Sequence, residues 1–83
     1  MERQAAGKVP SAAAFARRHG LTKRELEVAE RVGRGMTNRA IAAALGCSER
    51  TVETHVSRIL AKTDCASRSE LVAVLWSSAS WTS

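Results

Sequence analysis

Apolar residues recur along the chain at helical spacing, and the polar residues between them have the spacing of caps and turns. The clearest stretch begins at Leu21. Thr22 precedes Glu25 by three residues, the spacing of a capping box, and Leu21 against Leu26 has the spacing of a hydrophobic staple. Val28, Ala29 and Val32 follow on one side, which predicts a helix running to about Arg34 and stopped by Gly35. Met36 is then expected to pack beneath the turn leading onward. From Thr37 to Lys62 the pattern makes two helices joined by a tight turn. Thr37 caps the first, Arg39–Leu45 is Ala-rich helix-forming sequence, and Gly46 stands where a helix ends in a left-handed residue. Ser48 is a good cap for the second, in which Val52, Val56, Ile59 and Leu60 fall at i, i+4, i+7 and i+8 as one apolar stripe. The opposite side carries Arg50, Glu53, Thr54, Ser57, Arg58 and Ala61, all polar or small. A short helix, a Gly-containing turn and a longer helix with one polar face is the helix-turn-helix arrangement, and the second helix is expected to read DNA.

The chain on either side of this unit completes a bundle. Asp64–Ala66 makes a short connection, and Ser67 with Glu70 forms a second capping box opening a helix from about Arg68 to Trp76. That helix is apolar almost all round. Leu71, Val74 and Leu75 are assigned to the core, leaving Val72, Ala73 and Trp76 outside as a patch of the kind that marks an interface. The competing expectation is that an N-terminal helix carrying Phe15 covers this patch. Ser11–Arg18 is helix-prone but short, and is expected to dock Phe15 on the core as a marginal helix. Met1 to about Pro10 has the composition of a flexible lead-in, and Ser77–Ser83, Trp81 included, that of a frayed tail. The predicted fold is all-α: a four-helix helix-turn-helix bundle with a short extra N-terminal helix. Residues 1–20 form the lead-in or linker, 21–76 the domain and 77–83 the tail.

Composition narrows the partners. Thirteen Lys and Arg against eight Asp and Glu give a net charge of +5 and a pI near 10.3, a balance that favours a polyanion. Hydrophobic residues at 45% suit a folded chain, and 83 residues suit one small domain. No apolar run approaches a membrane span and the N-terminus lacks a signal-peptide core, so a cytoplasmic protein is expected. Cys47 and Cys65 lie apart without a CxxC pair and read as reduced, small apolar residues. Cys47, His55 and Cys65 lack the paired short spacing of zinc ligands, and His19 has no catalytic partner in the sequence. No cofactor, no metal and no enzymatic activity are expected. His55, at the margin of the apolar stripe, is expected to be a satisfied, partly buried histidine.

DNA binding needs cations for phosphates and side chains at base edges. Asn38 and Arg39 open the first helix of the unit, where free backbone N–H groups meet a phosphate; simple solvation is their alternative role. Arg50 and Thr51 open the second helix, and Thr51 can contact a phosphate, cap locally, or both. Glu53, Thr54, Ser57 and Arg58 project over two turns. Arg58 can pair with guanine or take a phosphate, Glu53 can accept from cytosine, and the Thr54 methyl can touch thymine. A solvated face without base contacts is the competing reading.

LTKRELEV at Leu21–Val28, GMTNRAIAAALGCSERTVETHV at Gly35–Val56, and the RILAK and SRSEL segments beyond resemble the LuxR-type (GerE or FixJ-like) helix-turn-helix domain of bacterial transcription regulators. The resemblance runs from about Leu21 to Val74 in order and spacing. It implies a four-helix module with a recognition helix at about residues 49–62 in the major groove of double-stranded DNA. It assigns Asn38, Arg39 and Thr51 to backbone contact. It further implies a place at the C-terminal end of a longer regulator, a homodimer formed through the last helix on a two-fold site, and RNA polymerase as a further candidate partner. Three positions depart from the family pattern. Arg31 stands where Leu is favoured and must snorkel or find a carboxylate, and Thr63 stands where a buried Leu is usual. Glu53 stands where several relatives carry Lys. Glu53 and Ser57 would suit the contrasting function, a protein-interaction module that keeps the shape without touching DNA.

Overall fold

The computed structural model describes residues 14–77; the lead-in Met1–Pro10, the start of the Ser11–Arg18 segment and the tail with Trp81 lie outside them. Five helices and no strand occur among the described residues. They are α1 over residues 14–19, α2 at Lys23–Gly33, α3 at Asn38–Leu45, α4 at Glu49–Thr63 and α5 at Arg68–Ser77. The all-α helix-turn-helix expectation, including the short extra helix, matches this architecture.

Local chemistry accounts for the helix starts. Thr22 Oγ1 accepts from Glu25 N at 3.1 Å while Glu25 Oε1 accepts from Thr22 N at 2.9 Å, a complete capping box. Thr37 accepts from Ala40 N and Ser48 from Thr51 N, each at 3.1 Å. The box at α5 is only half formed. Ser67 Oγ accepts from Glu70 N, but the Glu70 carboxylate reaches one residue further back and accepts from Ala66 N rather than Ser67 N.

The first four helices end in one way. Leu21 N donates to Ala16 O, Met36 N to Arg31 O, Cys47 N to Ala42 O and Cys65 N to Leu60 O, the six-residue closure that turns the chain sharply out of a helix. The residue before each donor is left-handed: Gly20, Gly35, Gly46 and Asp64. Asp64, at φ 58, is the non-glycine member, which the sequence did not announce. At Gly46 an added Cβ would meet nothing within 4 Å, so only the backbone conformation resists a side chain. Gly46→Ala is therefore expected to cost about 1 kcal/mol and Asp64→Gly to gain somewhat less, both read as denaturation midpoints. A neutral Gly46→Ala would show that the turn can relax its left-handed geometry.

α2 packs on α4 and α5, and α3 packs on α4. Val28, Ala29 and Val32 from α2 meet Ile41 and Ala42 from α3, and Val52, Val56 and Ile59 from α4. Leu71 and Leu75 from α5 complete the centre, with Phe15 of α1 buried in the same cluster. Leu21, Met36, Cys47 and Leu60 are half-buried against it. Val72 departs from its expected outward place: it is half-buried and packs on the core, as is Val74. At 100° per residue both flank the Leu71–Leu75 stripe, so the outward side of α5 narrows to Ala73 and Trp76. Trp76 is 56% exposed, yet its indole Nε1 donates to Gly33 O at 2.9 Å and pins the ring edge to the end of α2. Phe15 thus enters the core while leaving the Trp76 face open among the described residues.

The departures from the family pattern are also accommodated locally. Arg31 is half-buried and its guanidinium donates to the Glu27 main-chain carbonyl at 3.1 Å, not to a carboxylate. Thr63 is buried with its hydroxyl donating to Ile59 O at 2.8 Å, so the polar atom it brings inward is paired.

Candidate nucleic-acid interface

α4 owes its direction to its buried stripe. With Val52, Val56 and Ile59 held against α2 and α3, the 3.6-residue period turns Arg50, Glu53, Thr54, Ser57 and Arg58 outward, and all five are exposed. Arg39 on α3 is exposed as well. Arg39, Arg50 and Arg58 make no ion pair among the described residues, whereas Lys62, farther along α4, is committed to Glu25 at 2.7 Å. The three guanidiniums on the helix-turn-helix unit therefore keep their donors for an external anion.

Hydroxyl groups on this face are partly spent. Thr54 Oγ1 donates to Arg50 O at 3.1 Å, which leaves its methyl as the group available for an apolar contact. Ser48 Oγ and Thr51 Oγ1 lie 2.9 Å apart while Ser48 Oγ also accepts from Thr51 N. When the Ser48 hydroxyl is the donor of the first bond, the Thr51 proton is left to point outward, so capping and anion contact are compatible. Glu53 and Ser57 are exposed without side-chain partners among the described residues, and no bond joins them.

Asn38 is placed differently from the rest. It is half-buried at the start of α3, and its Oδ1 accepts from Arg68 Nη1 at 2.5 Å, while Arg68 Nη2 donates to Met36 O at 2.6 Å. The sequence reading did not single out Arg68. Its partners lie 30 and 32 residues away, beyond the reach of any capping or periodicity signal.

His55 corrects another expectation. It is partly buried, but Nδ1 is enclosed and has no hydrogen-bond partner among the described residues. Both cysteines are free thiols: Cys65 is buried, with Sγ 3.8 Å from Thr63 O, and Cys47 is half-buried. No cluster of three potential metal ligands and no helix long and apolar enough to cross a membrane occur among the described residues.

Comparison with known proteins agrees with this geometry. Over 50 residues the chain is 50% identical to the uncharacterized transcriptional regulatory protein YhcZ of Bacillus subtilis, covering 60% of this chain and 23% of that protein. It is 43% identical over 56 residues to the monoamine regulon transcriptional regulator of Klebsiella aerogenes, covering 68% and 25%. It is 42% identical over 48 residues to the nitrate/nitrite response regulator protein NarP of Escherichia coli, covering 58% and 22%. The chain thus spans about a quarter of the length of these relatives. No solved structure matches it significantly. The family model of bacterial regulatory proteins of the luxR family matches residues 19–75, a span holding α2 to α4 and most of α5. With the helix-turn-helix geometry and the match in agreement over most of its length, the chain belongs to the luxR family of bacterial regulatory proteins.

Proposed function

We propose that this domain binds double-stranded DNA as the output module of a bacterial transcription regulator, with α4 in the major groove. The observation that carries the reading is the exposed α4 face, Arg50, Glu53, Thr54, Ser57 and Arg58, set on a rigid stripe and flanked by uncommitted cations. Asn38, Arg39, Arg50 and Thr51 serve the phosphates. Arg58 and the Thr54 methyl serve guanine and thymine edges, with Glu53 and Ser57 beside them. Two domains pair through the outward side of α5, Ala73 and Trp76 with Val72 at its margin, and so meet two half-sites about one helical turn apart. RNA polymerase and the bacterial cytoplasm are the partner and location that go with this role.

Duplex binding over a range of salt concentrations tests the first part. Arg39→Ala and Arg50→Ala are each expected to weaken binding about equally on random and preferred DNA, lowering the salt slope by roughly one. Arg58→Ala or Thr54→Ala is expected to relax preference at one or two base positions, costing about 1–3 kcal/mol on the best site. Salt-independent binding by the parent protein would favour a protein-interaction module instead. Binding-site selection returning one motif for parent and variants alike would remove direct readout from this face.

For pairing, Ala73→Glu is a cleaner test than a change at Trp76, because Trp76 also bonds Gly33. A charge at exposed Ala73 is expected to abolish cooperative binding to a palindrome while leaving folding and single half-site affinity nearly intact. Undiminished cooperativity in gel-shift titration would place the contact between copies elsewhere.

A further inference from the structure

α5 carries none of the residues assigned to DNA, yet its first residue reaches into the start of α3. Arg68 is half-buried, and its two terminal nitrogens bond Asn38 Oδ1 and the Met36 carbonyl. A planar guanidinium that donates from both terminal nitrogens fixes its acceptors relative to each other, which a lysine could not do. An Asn amide has one accepting oxygen and one donating NH2 group. Engaging the oxygen decides the orientation of the amide, and Asn38 Nδ2 makes no hydrogen bond among the described residues. Asn38 is the first residue of α3, where the main-chain N–H groups lack intrahelical partners. Thr37 Oγ1 occupies only that of Ala40.

We propose that Arg68 is a positioning residue for phosphate recognition. It touches no DNA itself; it holds the Asn38 amide so that Nδ2 and the open N–H groups at the start of α3 face one backbone phosphate together. This rests on the DNA-binding reading above and adds to it a residue of α5, 30 positions further along the chain. The bond to Met36 O serves the same purpose, since it fixes the loop from which α3 starts.

Four variants of the protein, titrated with a random-sequence duplex at several salt concentrations, test the assignment. Arg68→Ala is expected to lose about five- to tenfold in affinity, the value of an oriented hydrogen bond to a charged group, with an unchanged salt slope. Asn38→Ala should lose a similar factor, and the double variant no more than Asn38→Ala alone, since the two act through one amide. Asn38→Asp keeps the acceptor for Arg68 but removes the donors. It should denature no earlier than the parent while binding DNA at least tenfold more weakly.

A salt slope reduced by about one in Arg68→Ala would mean that Arg68 meets a phosphate directly, and additive losses in the double variant would mean that it acts independently of Asn38. Either result overturns the proposal. If Arg68→Ala fails to fold, Asn38→Asp still decides, because parent-like affinity in that variant rules out a donor role for the amide. A parent protein without salt-dependent duplex binding would instead overturn the DNA reading, and that is seen before any variant is compared.

Discussion

Replacing Phe15 by alanine is expected to cost about 3–5 kcal/mol, most of the stability a domain of this size has. Phe15 is only 5% exposed and sits in the same cluster as Val28, Ile41 and Leu71, so truncation removes a ring from the centre of the bundle. It also stacks obliquely on His19, with ring centroids 4.6 Å apart, and that contact within α1 would be lost as well. α1 is held at its far end by Leu21 N donating to Ala16 O, so the helix cannot swing away without opening the entry to α2. Chemical denaturation of the Phe15→Ala protein measures the effect. A loss below about 1 kcal/mol would show that α1 is an attachment on a core closed without it. The result bears on where the folding unit begins. The family match starts at residue 19, so Phe15 is a core residue contributed from outside the matched span.

The second large effect is expected at the ion pair between α2 and α4. Glu25 is 2% exposed, and one carboxylate oxygen takes both Lys62 Nζ at 2.7 Å and Thr22 N at 2.9 Å. Lys62→Met would leave a buried carboxylate with only the helix cap for company, a loss of about 3 kcal/mol. The low end of the range applies, because the Lys62 side chain is 35% exposed and water replaces part of what it supplies. Burial pushes the Glu25 carboxyl up, but the bond and charge of Lys62 together with the Thr22 bonds outweigh it and hold the group below its ordinary value of 4.5.

A depressed carboxylate contributes stability that is present above its unfolded value and is lost as pH falls through the folded one. The parent should therefore weaken on acidification below about pH 4.5. The deficit of Lys62→Met should be largest near pH 7 and smaller in acid well below pH 4.5, once Glu25 takes up its proton and no longer needs a cation. Parallel denaturation curves for the two proteins in both conditions give the answer. A deficit that stays constant would assign the loss to the packing of the lysine stem rather than to charge.

Arg68 and Lys62 are alike in one respect: each is a cation whose task is set by a residue 30 or more positions away. The sequence read Lys62 as the end of the recognition helix and Glu25 as a capping residue. The capping role is seen and α4 ends one residue later, at Thr63, but neither reading implies the other half of the pair. Glu25 does two jobs with one carboxylate because its helix start is packed where the end of α4 arrives. Of the proposed DNA contacts, Arg39, Arg50 and Arg58 stand where the helical period placed them, exposed on the unit. Asn38 is half-buried and joined to α5, which turns an apparently local helix-start residue into part of a longer-range arrangement.

The chain's own sequence determined what depends on neighbours three and four residues apart. The starts of α2, α3 and α4 follow from Thr22, Thr37 and Ser48, whose side chains reach N–H groups within one turn. The inner and outer faces of α4 follow from the 3.6-residue period, which needs no partner to be known. Tertiary structure alone decided what depends on where separate helices meet. It brought Lys62 to Glu25, Arg68 to Met36 and Asn38, and the Trp76 indole to Gly33, across 30 to 43 residues of chain. It drew Val72 halfway into the core, because α5 is apolar all round and its own pattern leaves open which side the bundle takes. It also set Asp64 in a left-handed turn, since α4 must end there for Cys65 and Leu71 to reach the centre. Such contacts have no period and no fixed spacing, so they exist only once the apolar stripes have packed and brought distant polar groups within hydrogen-bond reach.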